Sequence, residues 1–223
     1  MNKYALIVAG GNGSRMKSVI PKQFILLDGR PILMHTIEAF NKYSEHIKII
    51  LVLPKEEFSN WHTLVEDFHH EVEHQLIAGG QTRFESVKNG LNAIENNGLV
   101  AIHDGVRPFV SEKLIDSCFS TAETNGSGVA CVIPKDSVRK VIRSENEHVD
   151  RNTYRLIQTP QVFNILSIKR AYSQTSDTSY TDDASVAEAA GQKIILVEGD
   201  YENIKITTPE DLVIAQALVN NLD

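Results

Sequence analysis

The chain predicts an α/β fold: a Rossmann-like, mostly parallel twisted sheet with helices on both faces, plus a protruding β-arm. Three observations carry this. Short apolar runs rich in β-branched residues alternate with segments of helical periodicity over most of the length. Glycine-bearing turns follow several of those runs, as in Ala9-Gly10-Gly11, Gly79-Gly80 and Asp104-Gly105. The alternation then breaks at Pro134, where charge and proline interrupt it.

The elements follow in order. Tyr4-Ala5-Leu6-Ile7-Val8 is apolar throughout, the pattern of a strand buried on both faces. Residues 31 to 42 carry Leu33, Ile37 and Phe40 at helical spacing, and 47 to 53 form the next buried strand. A helix over 56 to 69, a short strand over 74 to 78 and a helix over 82 to 96 continue the pattern. Thr82 and Glu85 form a capping box that opens this last helix. The run 99 to 103 stops at Asp104-Gly105. Ser111 caps the following helix, which Gly126 and Gly128 end before a strand over 129 to 133. Between 134 and 163 the spacing predicts an excursion. Residues 137 to 142 alternate, 143 to 152 are polar, and 156 to 163 read as extended with Pro160 inside, which argues for an edge or protruding strand. Helices over 164 to 174 and 182 to 190, strands near 193 to 197 and 203 to 206, and a helix opened by Thr208-Pro209 complete the chain.

At 223 residues, length alone does not choose between one large domain and two small ones. No repeat or low-complexity linker divides the chain, so a single domain over 1–223 is expected, with 134–163 as a dimerisation arm. A projecting hairpin needs a second surface to bury against, and a homodimer partner supplies it. The net charge of -7 argues against a general polyanion binder, because nucleic-acid domains usually carry a basic surplus. Cys118 and Cys131 form no metal-ligand spacing and lie in or beside apolar stretches, so both read as buried, reduced thiols. Neither a leader pattern nor a membrane-length apolar run occurs in the sequence, and a cytoplasmic protein is expected.

The most informative segment is Ala9-Gly10-Gly11-Asn12-Gly13-Ser14-Arg15-Met16, with Pro21-Lys22-Gln23 close behind. Glycines after a strand let backbone N–H groups close on an anion. Arg15 and Lys22 stand where they could reach the phosphates of a bound nucleotide. The Gly-Lys-Ser/Thr of a Walker A loop is missing. A dinucleotide fingerprint fails too, since Met16 replaces the third small residue and the second strand ends in Leu53-Pro54-Lys55 rather than an acid. What remains is a loop suited to a nucleoside triphosphate.

His103-Asp104-Gly105-Val106-Arg107-Pro108 is a second candidate, at a strand end where open α/β sheets bind ligands. A carboxylate facing a phosphate loop suits Mg2+, which takes one or two protein carboxylates and completes its shell with water and phosphates. Asp104 is the candidate ligand. Gly79-Gly80-Gln81-Thr82-Arg83-Phe84-Glu85-Ser86 places a helix N-terminus after a glycine turn, with unpaired N–H groups and the Ser86 hydroxyl available. Lys205 stands among isoleucines, where a solvated face and a phosphate contact are equally good readings. Thr181 reads as the cap of the helix over 182 to 190. His70 and His74 straddle a helix end and a strand start, so no helical face presents both to a metal.

Taken together, these segments resemble the 2-C-methyl-D-erythritol 4-phosphate cytidylyltransferase family from about residue 4 to residue 217. The related ribitol-5-phosphate cytidylyltransferases share the glycine loop, Pro21-Lys22-Gln23, His103-Asp104 with Arg107-Pro108, Thr159-Pro160-Gln161 and Asn203-Ile204-Lys205. Val149-Asp150-Arg151-Asn152 and Val197-Glu198-Gly199 resemble the erythritol-phosphate branch. The resemblance implies a nucleotidyltransferase-type fold and Mg2+-dependent cytidylyl transfer. Ala9, Gly10, Gly11, Asn12, Gly13, Gly80, Gln81, Ser86 and Gly105 would hold CTP, with Arg107 near the nucleotide. Arg15, Lys22 and Lys205 would be catalytic and Asp104 would hold the metal. Ser137, Thr159 and Thr181 would meet the polyol phosphate, and Arg151 would reach across from the partner's arm. Ser137 replaces a common Thr and keeps its hydroxyl; Thr82 stands where the family commonly has an acid.

The reaction implied is attack by an acceptor phosphate oxygen on the α-phosphorus of CTP, with pyrophosphate leaving. Such chemistry needs positioning and electrostatics rather than a protein nucleophile. The rivals are a ribitol-phosphate transferase and, outside that class, a non-catalytic nucleotide sensor or an NAD-dependent oxidoreductase. The absent third glycine and strand-end acid weigh against the oxidoreductase. The joint presence of Arg15, Lys22, Asp104 and Lys205 weighs against the sensor.

Overall fold

The computed structural model describes residues 1–10, 20–175, 177 and 179–220. The glycine-loop residues Gly11, Asn12, Gly13 and Arg15 lie outside the described residues. Strand β1 (Lys3–Val8) is followed by a 3-10 turn (Lys22–Phe24), the small pair β2 (Leu26–Leu27) and β3 (Arg30–Pro31), and helix α1 (Ile32–Tyr43). Then come β4 (Lys48–Leu53), α2 (Phe58–Asp67), β5 (Gln75–Ala78), α3 (Arg83–Asn92), β6 (Leu99–Asp104), α4 (Glu112–Asn125) and β7 (Ser127–Val132). Strands β8 (Val138–Ile142) and β9 (Glu145–Val149) form a separate hairpin. Strand β10 (Leu156–Asn164), α5 (Ile165–Gln174), α6 (Asp183–Ala189), β11 (Leu196–Glu198) and α7 (Pro209–Val219) follow.

The main sheet has seven strands in the order β11-β7-β10-β6-β1-β4-β5. Neighbours run parallel except β10, which is antiparallel to both β6 and β7. The pleat of β1 explains why its sequence is apolar without alternation. Ala5 and Ile7 join a core with α1, α2 and α4, while Tyr4, Leu6 and Val8 join a second core with α3, α5 and α6. A third, smaller cluster gathers Leu27, Ile32, Val106, Ile206 and Ala215, so that α7 closes over the loops rather than over the sheet.

Register decides where the loops meet. Val8 pairs with Val52 on one side and Asp104 on the other, and Leu53 pairs with Ala78. The C-terminal ends of β1, β5 and β6 therefore lie at one edge of the sheet, as the ligand-side rule for open α/β sheets requires.

Several expected signals act as read. Thr82 accepts from Glu85 N and the Glu85 side chain returns the bond, completing the capping box. Ser111 caps α4 by accepting from Leu114 N, and Gly126 ends it at φ 89°. Three expectations need correction. Residues 203 to 206 form no strand; the segment is held by Ile206 N donating to Val106 O at 2.9 Å and by the Asn203 side chain. The cap of α6 is Asp182, which accepts from Ser185 N at 3.3 Å, and this leaves Thr181 exposed in front of the helix. Residues 156 to 163 are not at an edge or in the protrusion. They run through the sheet between β6 and β7, and Pro160 is tolerated because the ladder with β7 breaks register between Ile157 and Gln161. Within 134 to 163, the β8–β9 hairpin is the part that stands apart from the main sheet, with Val141 and Ile142 exposed.

Helix α3 approaches the sheet closely at Gly90, where an added Cβ would sit 2.2 Å from Leu6 Cδ1 and 2.9 Å from Val52 Cγ2. Gly90→Ala should therefore destabilise the protein by about 1–3 kcal/mol in urea titration, although alanine is the better helix former. Cys118 is fully buried, and burial pushes its thiol up to about 12. A thiol reagent at pH 8 should leave Cys118 unmodified in the folded protein and label it on denaturation, read by mass spectrometry.

Candidate active site

Two adjoining cavities open at this edge. The first, about 250 Å3, is lined by Ala9 and Gly10 after β1, by Gly80, Gln81 and Ser86 at the start of α3, and by Lys22, Arg83, Asp104 and Lys205. The second, about 330 Å3, lies between β10 and the start of α6 and is lined by Thr159, Thr181, Asp182 and Arg107. Arg83, Asp104 and Lys205 border both. Lys22, Arg83 and Lys205 face the first cavity against the single carboxylate of Asp104. A chain with net charge -7 thus keeps a positive field locally, as a polyphosphate requires.

Asp104 ends β6, and its side chain is the electrostatic centre of the wall. Lys205 Nζ lies 3.0 Å from Oδ2, Arg107 Nε 3.2 Å from the same oxygen, and Arg83 Nε 3.7 Å from Oδ1. Burial opposes its ionisation, but Lys205, Arg83 and Arg107 outweigh that and hold the carboxyl well below the usual carboxylate range. It is charged at any pH at which the protein is handled.

Each cation is held in place by neighbouring backbone. Lys205 reaches Asp104 because Asn203 Nδ2 donates to Thr159 O at 2.8 Å and Ile206 is buried beside Val106. The Lys205 side chain lines both cavities. Arg107 also donates from Nη1 to Asn203 O at 2.7 Å, and it lines the second cavity rather than the first. His103 packs edge-on against Phe40 with centroids 4.9 Å apart, and its Nε2–H donates to Arg107 O at 3.1 Å. Burial pushes its imidazole down to about 4, so the ring is neutral and braces the turn that aims Arg107.

At the start of α3, Gly80 N donates to Ser86 Oγ at 3.1 Å, and Ser86 donates in turn to Thr82 O at 2.9 Å. Gln81 N donates to Glu85 Oε2 at 2.7 Å. The Ser86 hydroxyl therefore shapes the turn as well as lining the cavity. Gly105 borders neither cavity. A Cβ there would lie 2.8 Å from Ala9 Cβ and 3.0 Å from Leu33 Cδ1, so glycine permits the ends of β1 and β6 to close together. Thr159 is buried and its Oγ1 accepts from Asp104 N at 3.1 Å.

Two sequence candidates stay apart from this edge within one chain. Ser137 is exposed before β8. Arg151 is exposed on the turn after β9, where its Nη1 donates to Lys135 O. Neither lines the cavities.

Sequence reasoning missed Arg83 and Asp183. Arg83 donates to both carboxylate oxygens of Asp183, at 2.9 and 2.7 Å, and Tyr172 Oη donates to Asp183 at 2.6 Å. Burial works against the Arg83 charge, yet Asp183 and Asp104 raise its pKa above the ordinary guanidinium value. A signal existed: a cation in the first turn of a helix opposes the dipole and calls for a partner. Gln23, 1% exposed, also went unassigned; it lines the first cavity, and its Oε1 has no hydrogen-bond partner among the described residues.

Among the described residues no group of three or more His, Cys, Asp or Glu side chains could hold a metal by itself. Asp104 Oδ1 is the less committed oxygen, beyond hydrogen-bond distance of Arg83. One ionised carboxylate beside a phosphate-sized cavity fits Mg2+ bound chiefly by substrate phosphates and water, and does not fit a self-contained metal cage.

Known proteins match the chain over nearly its full length. The family model for 2-C-methyl-D-erythritol 4-phosphate cytidylyltransferase matches residues 4–221. The enzyme of that name from Bacteroides fragilis is 50% identical over 219 residues, covering 98% of this chain and 100% of its own, and that from Phocaeicola vulgatus is 48% identical with the same coverage. The crystal structure of 4-diphosphocytidyl-2C-methyl-D-erythritol synthase from Anaerococcus prevotii superposes with a TM-score of 0.85 at 30% identity, covering 98% of both chains. The Thermus thermophilus 2-C-methyl-D-erythritol 4-phosphate cytidylyltransferase superposes at 0.80 and 28% identity, covering 96% of this chain and 98% of its own. With a full-length family match and relatives near half identity, the chain belongs to the 2-C-methyl-D-erythritol 4-phosphate cytidylyltransferase family.

Proposed function

We propose that the two cavities hold CTP and 2-C-methyl-D-erythritol 4-phosphate, and that the protein joins them into 4-diphosphocytidyl-2-C-methyl-D-erythritol with release of pyrophosphate. The observation that carries this reading is the shared wall: Arg83, Asp104 and Lys205 border both cavities, so a phosphate in each meets the other there. The first cavity, with Gly10, Gly80, Gln81 and Ser86, would take the nucleotide. The second, with Thr159 and Thr181, would take the polyol phosphate.

An acceptor phosphate oxygen attacks the α-phosphorus as the bond to pyrophosphate breaks, and negative charge spreads over the transferring group. Lys22 and Lys205 stabilise that charge, with Arg15 of the glycine loop assigned the same role on sequence grounds. Asp104 orients Lys205 and Arg107 through its ion pairs. Asp104 would also hold Mg2+, which supplies charge neutralisation of the triphosphate. Both substrates are multiply charged, which favours a cytoplasmic location for the reaction.

The whole chain acts in this reading as one nucleotidyltransferase domain with the β8–β9 hairpin as a dimerisation arm. Val141 and Ile142 are exposed on that hairpin, as are Leu156 and Ile157 at its base, and a second copy would bury them. Ser137 and Arg151, remote from the cavities of their own chain, would then serve the partner's acceptor cavity.

Purified protein should release pyrophosphate from CTP and Mg2+ with 2-C-methyl-D-erythritol 4-phosphate and not with ribitol 5-phosphate; the reverse preference would assign the related activity. Lys22→Ala and Lys205→Ala should each lower turnover by about 30- to 1000-fold, equivalent to roughly 2–4 kcal/mol of transition-state stabilisation. Mixing inactive Arg151→Ala subunits with inactive Lys22→Ala subunits should restore part of the activity through hybrid sites. Verified heterodimers without recovery would show that each subunit works alone.

A further inference from the structure

The first turn of α3 and the first turn of α6 belong to different cavities. Gly80 to Thr82 borders the first, Thr181, Asp182 and Ser185 border the second, and Arg83 lines both. Among the described residues, the side-chain link between these two turns is the fork from Arg83 to Asp183, closing a separation of 100 residues. Asp183 is fully buried, and its carboxylate accepts from Arg83 and from Tyr172. Tyr172 Oη donates to Oδ1 at 2.6 Å, while the Asp183 and Ala184 backbone N–H groups donate to Gln161 Oε1 at 3.1 and 2.7 Å. Gln161 belongs to β10, so the start of α6 is anchored to the sheet and to α3 at once. The third guanidinium nitrogen, Nε, faces Asp104 Oδ1 at 3.7 Å.

This arrangement does nothing for α3 alone, because a cation at a helix N-terminus opposes the dipole. Its geometry serves the relation between the two cavities. We infer that Arg83 is a positioning residue of the transfer: its two-point bond to Asp183 sets the donor-side turn against the acceptor-side turn, with Asp104 between them. Reaction requires the attacking oxygen and the α-phosphorus to meet within near-attack distance, so a small displacement of one turn is felt in the rate with either substrate. The inference rests on the two-cavity reading proposed above.

The test compares wild type with Asp183→Asn, Arg83→Lys and the double variant. Arg83→Lys keeps the charge but cannot bridge both oxygens, and it serves as the second probe where Asp183→Asn fails to fold. Circular dichroism melting establishes folding; calorimetric titration with CTP and Mg2+ and with the polyol phosphate reports binding; initial rates give kcat and KM for both substrates. Each folded single variant should lose about 100-fold in kcat/KM for both substrates, the scale of a misplaced reactant. The double variant should be no worse than the poorer single, because both changes cut one link. Variants with a lowered melting temperature but wild-type kinetic constants would make the pair merely structural and overturn the inference. So would a large loss in Arg83→Lys with full activity in Asp183→Asn, which would make Arg83 a direct phosphate contact. Wild type that binds neither substrate would overturn the two-cavity reading itself; wild type that binds both while the variants match it would overturn only the role of Arg83.

Discussion

One buried carboxylate governs the geometry of this protein. Asp104 sits at the end of a fully buried strand, and three cations from separate stretches of the chain converge on it. A carboxylate in that position is tolerable only because it is paired, and the cations are held close together only because it lies between them. Remove the carboxylate and three positive charges would repel one another at the mouth of two cavities. The same constraint explains the braces behind each cation: Asn203 and Ile206 for Lys205, His103 and Asn203 for Arg107, and Asp183 for Arg83.

Fold and site are linked through backbone closeness. Gly105 lets the end of β6 press against Ala9 and Leu33, and Gly90 lets α3 lie against Leu6 and Val52. Those contacts bring the turns after β1, β5 and β6 to a single edge. The Ser86 hydroxyl shows how tightly support and site overlap. It completes the turn from Gly80 to Thr82 and at the same time lines the cavity, so the turn is shaped before any ligand arrives.

The family relationship and the physical arrangement agree at the level of reaction class. A transfer between two phosphates asks for cations placed around the reacting groups, and for no nucleophile or general base with a perturbed pKa near neutrality. His103, the one histidine near the centre, is neutral and structural. Val141 and Ile142 of the β8–β9 hairpin are exposed, as are Leu166 of α5 and Val213 and Ile214 of α7, and the dimer proposal rests on the hairpin pair standing apart from the main sheet.

Much of this was legible in the sequence for a definite reason. The apolar run of β1, the capping box at Thr82 and the glycine turns are local features, whose physics is complete within a few residues. They determined the α/β class, the order of most elements and the ligand edge, and they singled out Lys22 and Asp104, while Lys205 stayed an even choice until the family resemblance was drawn. Contacts between distant segments have no such local signature. Only the tertiary structure decided that β10 runs inside the sheet with Pro160 at a register break, that 203 to 206 is held by the Asn203 side chain and the bond from Ile206 N to Val106 O rather than by a ladder, and that Arg83 meets Asp183. A strand's neighbours and an ion pair's partner depend on which turns the packed helices bring together, and that relation exists in space before it can be read along the chain.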